Sequence, residues 1–315
     1  MKNSFLLTGA TGFIGSNLVR ELVKKGERVN IIVRDKNKNN WRLKDIEPKL
    51  VIYECSLLNE SLKDLVDKIR PDFIFHLGAY GIPPEEDSAY EMIDVNLKGT
   101  INLINAVKKN PFKLFINTGS CMEYGIKKDP MRETDILEPI FDYAITKAAV
   151  TLYCQKESIR SNLPIVTFRL FTPFGHYEEL YRLIPTVVKN AIENKPIKVS
   201  TPKTVRDFIF IEDVVDAYLQ ATKMPLPNGE ILNIGTGKQN SIGEIVKLCL
   251  QISQSKSKVL WGAMPMQKRY IEPERFEADM SKTKKVLKWE AKTTVEEGLS
   301  KTVEWFKKNK DLYSL

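Results

Sequence analysis

Two rhythms of apolar and polar positions alternate along the first two-thirds of the chain. Continuous apolar runs of strand length fall at residues 4–8, 29–33, 50–54, 72–76, 113–117 and 165–170. Between them, apolar residues return at helical spacing. Leu18, Val19, Leu22 and Val23 mark a first helix that Gly26 ends, and Leu62, Leu65, Val66 and Ile69 mark another that Pro71 stops. Longer helices are expected over 91–109 and 143–160. Strands with little polar alternation, spaced by helices, predict an α/β fold built on a doubly wound parallel sheet covered on both faces. After Pro173 the pattern changes: loops, one helix near Pro185, short strands at 208–211 and 231–234, and a closing helix striped by Val295, Leu299, Val303 and Phe306. This divides the chain into a larger lobe of residues 1–172 with about 206–240, and a smaller one of 173–205 with about 241–315.

With 315 residues, 43% hydrophobic and 28% charged, the chain can fill a core of this kind. The net charge is +8, spread without blocks of like charge or a basic aromatic stripe. That bias suits small anionic molecules and argues against nucleic acid. Cys55, Cys121, Cys154 and Cys249 have no C-x-x-C spacing, which predicts a reducing compartment without a disulfide framework or zinc site. No apolar run approaches the roughly 18 residues of a membrane span, and the N-terminus runs straight into strand pattern. The expectation is a cytoplasmic protein with no membrane partner.

The candidate chemistry begins between the first strand and the first helix, at Thr8-Gly9-Ala10-Thr11-Gly12-Phe13-Ile14-Gly15. Three glycines at this spacing serve a tight turn, close approach of a pyrophosphate to the backbone, and close helix–strand packing. The helix N-terminus would then face the anion. Tyr-x-x-x-Lys occurs twice. Tyr143…Lys147 lies in a helical pattern, so the two side chains share a face; Tyr124…Lys128 lies in loop composition. A tyrosine of ordinary pKa near ~10 is a poor base at neutral pH, and a lysine cation one turn away favours the phenolate. Thr118-Gly119-Ser120 ends the fifth strand, where doubly wound sheets place their ligands.

These stretches resemble the extended short-chain dehydrogenase/reductase family of nucleotide-sugar epimerases, dehydratases and ketoreductases. The resemblance spans nearly the whole chain and implies a Rossmann-type domain with a C-terminal sugar-nucleotide lobe. It implies Ser120, Tyr143 and Lys147 as the catalytic set. It implies a dinucleotide held by Gly9, Thr11, Gly12, Phe13, Ile14 and Gly15, with Leu77, Gly78 and Ala79 after the fourth strand, Thr118 and Leu170 at strand ends, and Tyr143 and Lys147, whose ammonium can also hold the nicotinamide ribose. Asn96 would brace the site through backbone contacts. Ser56-Leu57 stands where relatives carry an Asp–hydrophobic pair beside the adenine. Arg34, aligned with the residue that selects the cofactor, favours NADP(H), with Asp35 as the feature that keeps NAD(H) open.

On the substrate side the resemblance points to a nucleotide-diphosphate sugar, with Tyr80, Ser120, Cys121, Met122, Glu123 and Thr172 near the sugar. Arg206 and Arg269 would grip the diphosphate, and Glu272 the ribose. Family dehydratases place Asp-Glu directly after the catalytic serine or threonine. Cys121 and Met122 stand there and cannot serve as that acid and base, which argues against elimination. Decarboxylating relatives carry a glutamate at the position of Met122. Glu123 either orients a sugar hydroxyl or caps its loop. Asp213 reads as a helix cap, and His176 as a surface loop residue. With Arg34, and with stretches 76–81 and 182–186 resembling the CDP-abequose synthase-like ketoreductases, the favoured activity is NADPH-dependent reduction of a 4-keto nucleotide sugar. An NAD-dependent UDP-sugar 4-epimerase is the alternative, and a non-catalytic dinucleotide sensor a third reading. Helices 91–109 and 143–160 are expected, again by resemblance, to form a homodimer through a four-helix bundle.

Overall fold

Strands β1 (Ser4–Thr8), β2 (Arg28–Val33), β4 (Phe73–His76), β5 (Leu114–Ser120) and β6 (Ile165–Leu170) arise from the apolar runs of the sequence, because a strand buried on both faces needs side chains without polar alternation, while β3 (Val51–Glu54) is an edge strand with no buried residue. The computed structural model describes residues 2–38, 40–81, 86–263 and 273–313. All six strands, with β10 (Ile231–Ile234), form one parallel sheet of order β10-β6-β5-β4-β1-β2-β3. The order reverses between β1 and β4, and ligands of such sheets bind outside the strand ends at that point.

Helices cover both faces. Leu18, Val19 and Leu22 of α1 (Phe13–Lys24) join one apolar cluster with Phe5, Leu7, Phe75 and Ile116. Helices α2 (Leu62–Ile69), α4 (Gly99–Val107) and α5 (Asp142–Ser161) build the other, around Leu6, Ile74 and Phe115. The expected helix over 91–109 is not continuous. A short α3 (Ala89–Met92) leads through a π-helical segment, Ile93–Lys98, into α4. The extra residue per turn accompanies an inward Asn96, whose amide bonds both Tyr80 and Thr146.

The C-terminal third adds β7 (Thr172–Phe174), α6 (Leu183–Ile192), β8 (Ile197–Val199), β9 (Val205–Phe210), α7 (Ile211–Ala221), β11 (Gln239–Ser241), α8 (Ile242–Ser253), β12 (Val259–Trp261), α9 (Ser281–Val286) and α10 (Val295–Lys308). β7, β9 and β11 make a small sheet of their own, whereas β10 completes the large one. Asp207 of β9 ties this region together. Its buried carboxylate accepts from Thr236 N (2.9 Å), Thr236 Oγ1 (2.6 Å), Gly237 N (2.9 Å) and Ala278 N (3.2 Å). Asp213 is not the cap of α7 but lies in its first turn, accepting from Lys292 N and Thr293 N. His176 is not a free surface histidine: its ring stacks on Trp305 and meets the edge of Phe210. Among the described residues no helix is long and apolar enough to cross a membrane.

Candidate active site

The glycine loop follows β1 at the reversal point. Gly9 has φ +66°, and a Cβ there would lie 2.6 Å from Gly78 N, so the turn is pressed against the chain leaving β4. A Cβ on Gly15 would lie 2.2 Å from Gly9 O, which sets how closely α1 meets the loop. Gly12 caps α1 without a side-chain hydrogen bond, so the N–H groups of its first turn remain for an anion. Thr11, Phe13 and Ile14 are partly exposed around it. This backbone cradle, which any side chain on Gly9 or Gly15 would fill, fits a dinucleotide pyrophosphate.

Behind the loop, Gly78 N donates to Thr8 Oγ1 (3.1 Å), which meets His76 Nδ1 at 2.6 Å; His76 Nε2 meets Thr100 Oγ1 at 2.8 Å, and that hydroxyl donates to Asn96 O. Burial pushes the His76 imidazole down to about 3, so it is a neutral member of this chain at physiological pH. Leu77 and Ala79 flank Gly78 on the cleft side, half-exposed, and Leu170 is buried at the end of β6. Ser56 and Leu57 follow β3. Ser56 Oγ accepts from Leu58 N within its own turn, whereas Leu57 O accepts from Asn102 of α4. Arg34 is exposed just beyond β2, and its charge reaches the phenol of Tyr80. Asp35 Oδ1 accepts from Asn37 N at 2.8 Å.

The two Tyr-x-x-x-Lys pairs separate clearly. Tyr143 and Lys147 sit in the first turns of α5, one half-buried and one buried. Tyr124 is sealed in the core, and its hydroxyl donates to Asn233 Oδ1 at 2.6 Å. Lys147 Nζ donates to the carbonyl of Thr118 on β5, which docks α5 on the strand that ends in Ser120. Burial lowers the pKa of this lysine, and Glu123 works against that shift. Burial raises the phenol of Tyr143; the Arg182 guanidinium, at the start of α6, pulls it back, while Glu123 and Cys121 add to the rise. The Thr118 hydroxyl turns away toward Tyr218 OH, at 2.7 Å.

After Ser120 the chain makes a 3-10 turn, Cys121–Tyr124, closed by a capping box. Ser120 Oγ accepts from Met122 N (3.2 Å) and Glu123 Oε1 accepts from Ser120 N (2.8 Å). The loop-capping alternative for Glu123 is therefore the one observed. Its carboxylate is fully buried, with Oε2 accepting from Arg169 Nε at 2.8 Å, and it does not face a sugar. Cys121 is likewise buried rather than presented to substrate, its thiol pushed up to about 12 by burial. Met122 and Thr172 are partly exposed. Arg206 lies on β9, close enough for its charge to reach Cys121, with its guanidinium carbon 4.6 Å from the Phe276 ring centre. Arg269 and Glu272 lie outside the described residues. Arg169 and Asp207 carried no signal in spacing, because their partners are distant in sequence; Arg182 pairs locally with Glu178 (3.6 Å), but the Tyr143 phenol its charge acts on lies far along the chain.

The arrangement joins an anion cradle to a phenol, an ammonium and a hydroxyl at adjoining strand ends. Residues 5–235 match the NAD dependent epimerase/dehydratase family, and the chain belongs to it. The UDP-N-acetyl-alpha-D-glucosaminuronate decarboxylase of Bacillus cytotoxicus is 30% identical, covering 98% of both chains. The UDP-glucuronate 4-epimerase of Thermodesulfobacterium geofontis is 28% identical, covering 98% of this chain and 97% of its own. In three dimensions the fold is similar to a UDP-glucuronic acid 4-epimerase from Bacillus cereus in complex with UDP-glucuronic acid and NAD. That structure has TM-score 0.85 and 25% identity, covering 98% of this chain and 99% of its own. These relatives are epimerases and decarboxylases, so the activity they favour is not the 4-ketoreduction that Arg34 suggested.

Proposed function

We propose that this protein is a UDP-sugar 4-epimerase that works with a nicotinamide dinucleotide. The observation that carries this reading is the docking of Tyr143 and Lys147 against the end of β5, beside a turn with no free acid. Cys121 and Met122 hold the two positions after Ser120, and the carboxylate of Glu123 is committed to Arg169. Proton exchange at a sugar hydroxyl is thus provided for, while elimination lacks its acid and base. Bound in the glycine cradle, with Leu77, Gly78 and Ala79 beside it, the dinucleotide supplies reversible oxidation of the sugar carbon. Tyr143 takes the proton of the C4 hydroxyl and returns it. Lys147 favours the phenolate, and the Ser120 hydroxyl, which accepts from Met122 N, keeps its own proton to donate to the sugar oxygen. Arg206 holds the diphosphate. Residues 1–172 with about 206–240 serve the dinucleotide, and the remainder the sugar nucleotide.

A second reading, NADPH-dependent 4-ketoreduction, draws on one observation: the Arg34 cation is exposed at the end of β2, while one carboxylate oxygen of the neighbouring Asp35 accepts from Asn37 N. The two readings are separated by incubating the protein with UDP-glucuronate or UDP-glucose and NAD and following the sugar at C4 by NMR. We expect the C4 epimer to appear until the two forms stand in equilibrium. No epimer from any UDP-sugar, with reduction of a 4-keto sugar instead, would replace this proposal by the second.

We read the chain as a homodimer through the 91–109 stretch, which begins in α3 and the π-helical segment, and α5. Ile145, Leu152 and Ile159 form an exposed apolar stripe at seven-residue spacing on α5, with Tyr90 and Ile93 exposed nearby. Leu152→Glu should then sediment as a monomer; an unchanged sedimentation coefficient would count against this face.

A further inference from the structure

A buried ion pair costs the desolvation of both ions, and an apolar pair of similar size is often as stable. The pair formed by Glu123 and Arg169 is at 0% and 2% side-chain exposure, directly beneath the turn that carries Ser120. One carboxylate oxygen accepts from Arg169 Nε at 2.8 Å and the other from Ser120 N at 2.8 Å. Two residues earlier on the same strand, the Thr118 carbonyl accepts from Lys147. Between these anchor points, a Cβ on Gly119 would lie 2.7 Å from Glu123 Oε1 and 2.9 Å from Thr167 Cγ2, so the carboxylate is packed hard against the strand. Arg169 is itself fixed, with its guanidinium carbon 4.6 Å from the Tyr124 ring centre. Burial raises the carboxyl of Glu123, and the Arg169 charge and the two N–H donors work against that shift in favour of the charged form.

From this geometry we infer that Glu123, held by Arg169, is a positioning residue: it fixes Ser120 through the backbone and provides the buried negative charge opposite Lys147 and Tyr143. The inference rests on the reading of Ser120, Tyr143 and Lys147 as the catalytic set. The other groups acting on this pair are Arg182 from the start of α6, Cys121 from the turn, Cys154 from α5, and His76 of β4, which is neutral. Of these groups only Glu123 supplies negative charge at neutral pH, since burial raises both thiols. Its loss would let both the ammonium and the phenol release their protons at lower pH. Loss of the Arg169 charge would act in the same direction, because a buried carboxyl without its cation takes up a proton.

The test is the pH profile of kcat for Glu123→Gln and Arg169→Gln, each first checked for dinucleotide binding. We expect the rising limb to move down by about half a pH unit or more in both variants, directly in Glu123→Gln and through neutralisation of the unpaired carboxyl in Arg169→Gln. Arg169→Lys keeps the charge but not the planar fork. It should leave the limb in place while kcat falls several-fold through a slack Ser120. Limbs that coincide with that of the unaltered protein, or that move up, would overturn the inference. If one glutamine variant does not bind dinucleotide, the sign of the other decides. Tyr143→Phe in the same assay separates the two levels: turnover that survives it refutes the catalytic reading itself, whatever the ion pair does.

Discussion

Tyr143→Phe is expected to lower kcat by about 10²- to 10⁴-fold, the range for losing a positioned acid–base group. Dinucleotide affinity should stay within a few-fold, because the cradle is built from Gly9, Gly12 and Gly15 and not from α5. The effect should also carry a pH signature. Burial raises the phenol above its ordinary value, so the basic form is scarce at neutral pH and grows as pH rises. Turnover of the unaltered protein should therefore climb with pH, and the residual turnover of the variant should not. Steady-state kinetics across pH checks both. A variant that keeps both its rate and the rising limb would show that another group moves the proton.

The second large effect is expected from Gly15→Ala. The added methyl would lie 2.2 Å from Gly9 O and 2.8 Å from Ala10 Cα, and both are backbone atoms that cannot swing away. The loop must shift, at a cost of about 1–3 kcal/mol for overpacking. The loop is also where the pyrophosphate binds, so dinucleotide affinity should fall by about 10- to 100-fold at least. Gly26→Ala is the control. That glycine has φ +75° with nothing within 4 Å, so the variant should lose only about 1–2 kcal/mol for the left-handed backbone and bind dinucleotide normally. Titration with NAD and NADH, alongside urea unfolding, checks the contrast. Equal affinities for the two variants would mean that the glycine loop does not hold the cofactor.

Much of this site could be read from the chain because its parts are local. Gly9, Gly12 and Gly15 lie in one turn, and Tyr143 and Lys147 are one helical turn apart, so spacing together with the turn and helix pattern around it carried them. The strands followed from unbroken apolar runs such as 165–170. The rest depends on partners far apart in sequence. Nothing around Glu123 announces that Arg169 will close on it from the next strand, and so its capping role and a sugar-facing role read alike. The Arg182 charge acts on Tyr143 from the start of α6, far along the chain. The π-helical segment around Asn96 is set by an inward amide that bonds Tyr80 and Thr146, an effect that apolar periodicity does not register. Arg34 shows the limit in the other direction. A single residue at a strand end argued for NADP and so for a reductase, whereas the relatives matched along the whole chain favour epimerisation.

The central claim is that the sugar leaves with its oxidation state unchanged, and the most direct measurement is a dinucleotide balance. The cofactor released by denaturing the purified protein would be identified. The protein would then be incubated with UDP-glucuronate or UDP-glucose and a sub-stoichiometric amount of that dinucleotide. The account predicts NAD in the released fraction, and many equivalents of C4 epimer formed with no net change in absorbance at the wavelength of the reduced form. An empty site that prefers NADPH and consumes one equivalent for each product formed would contradict it.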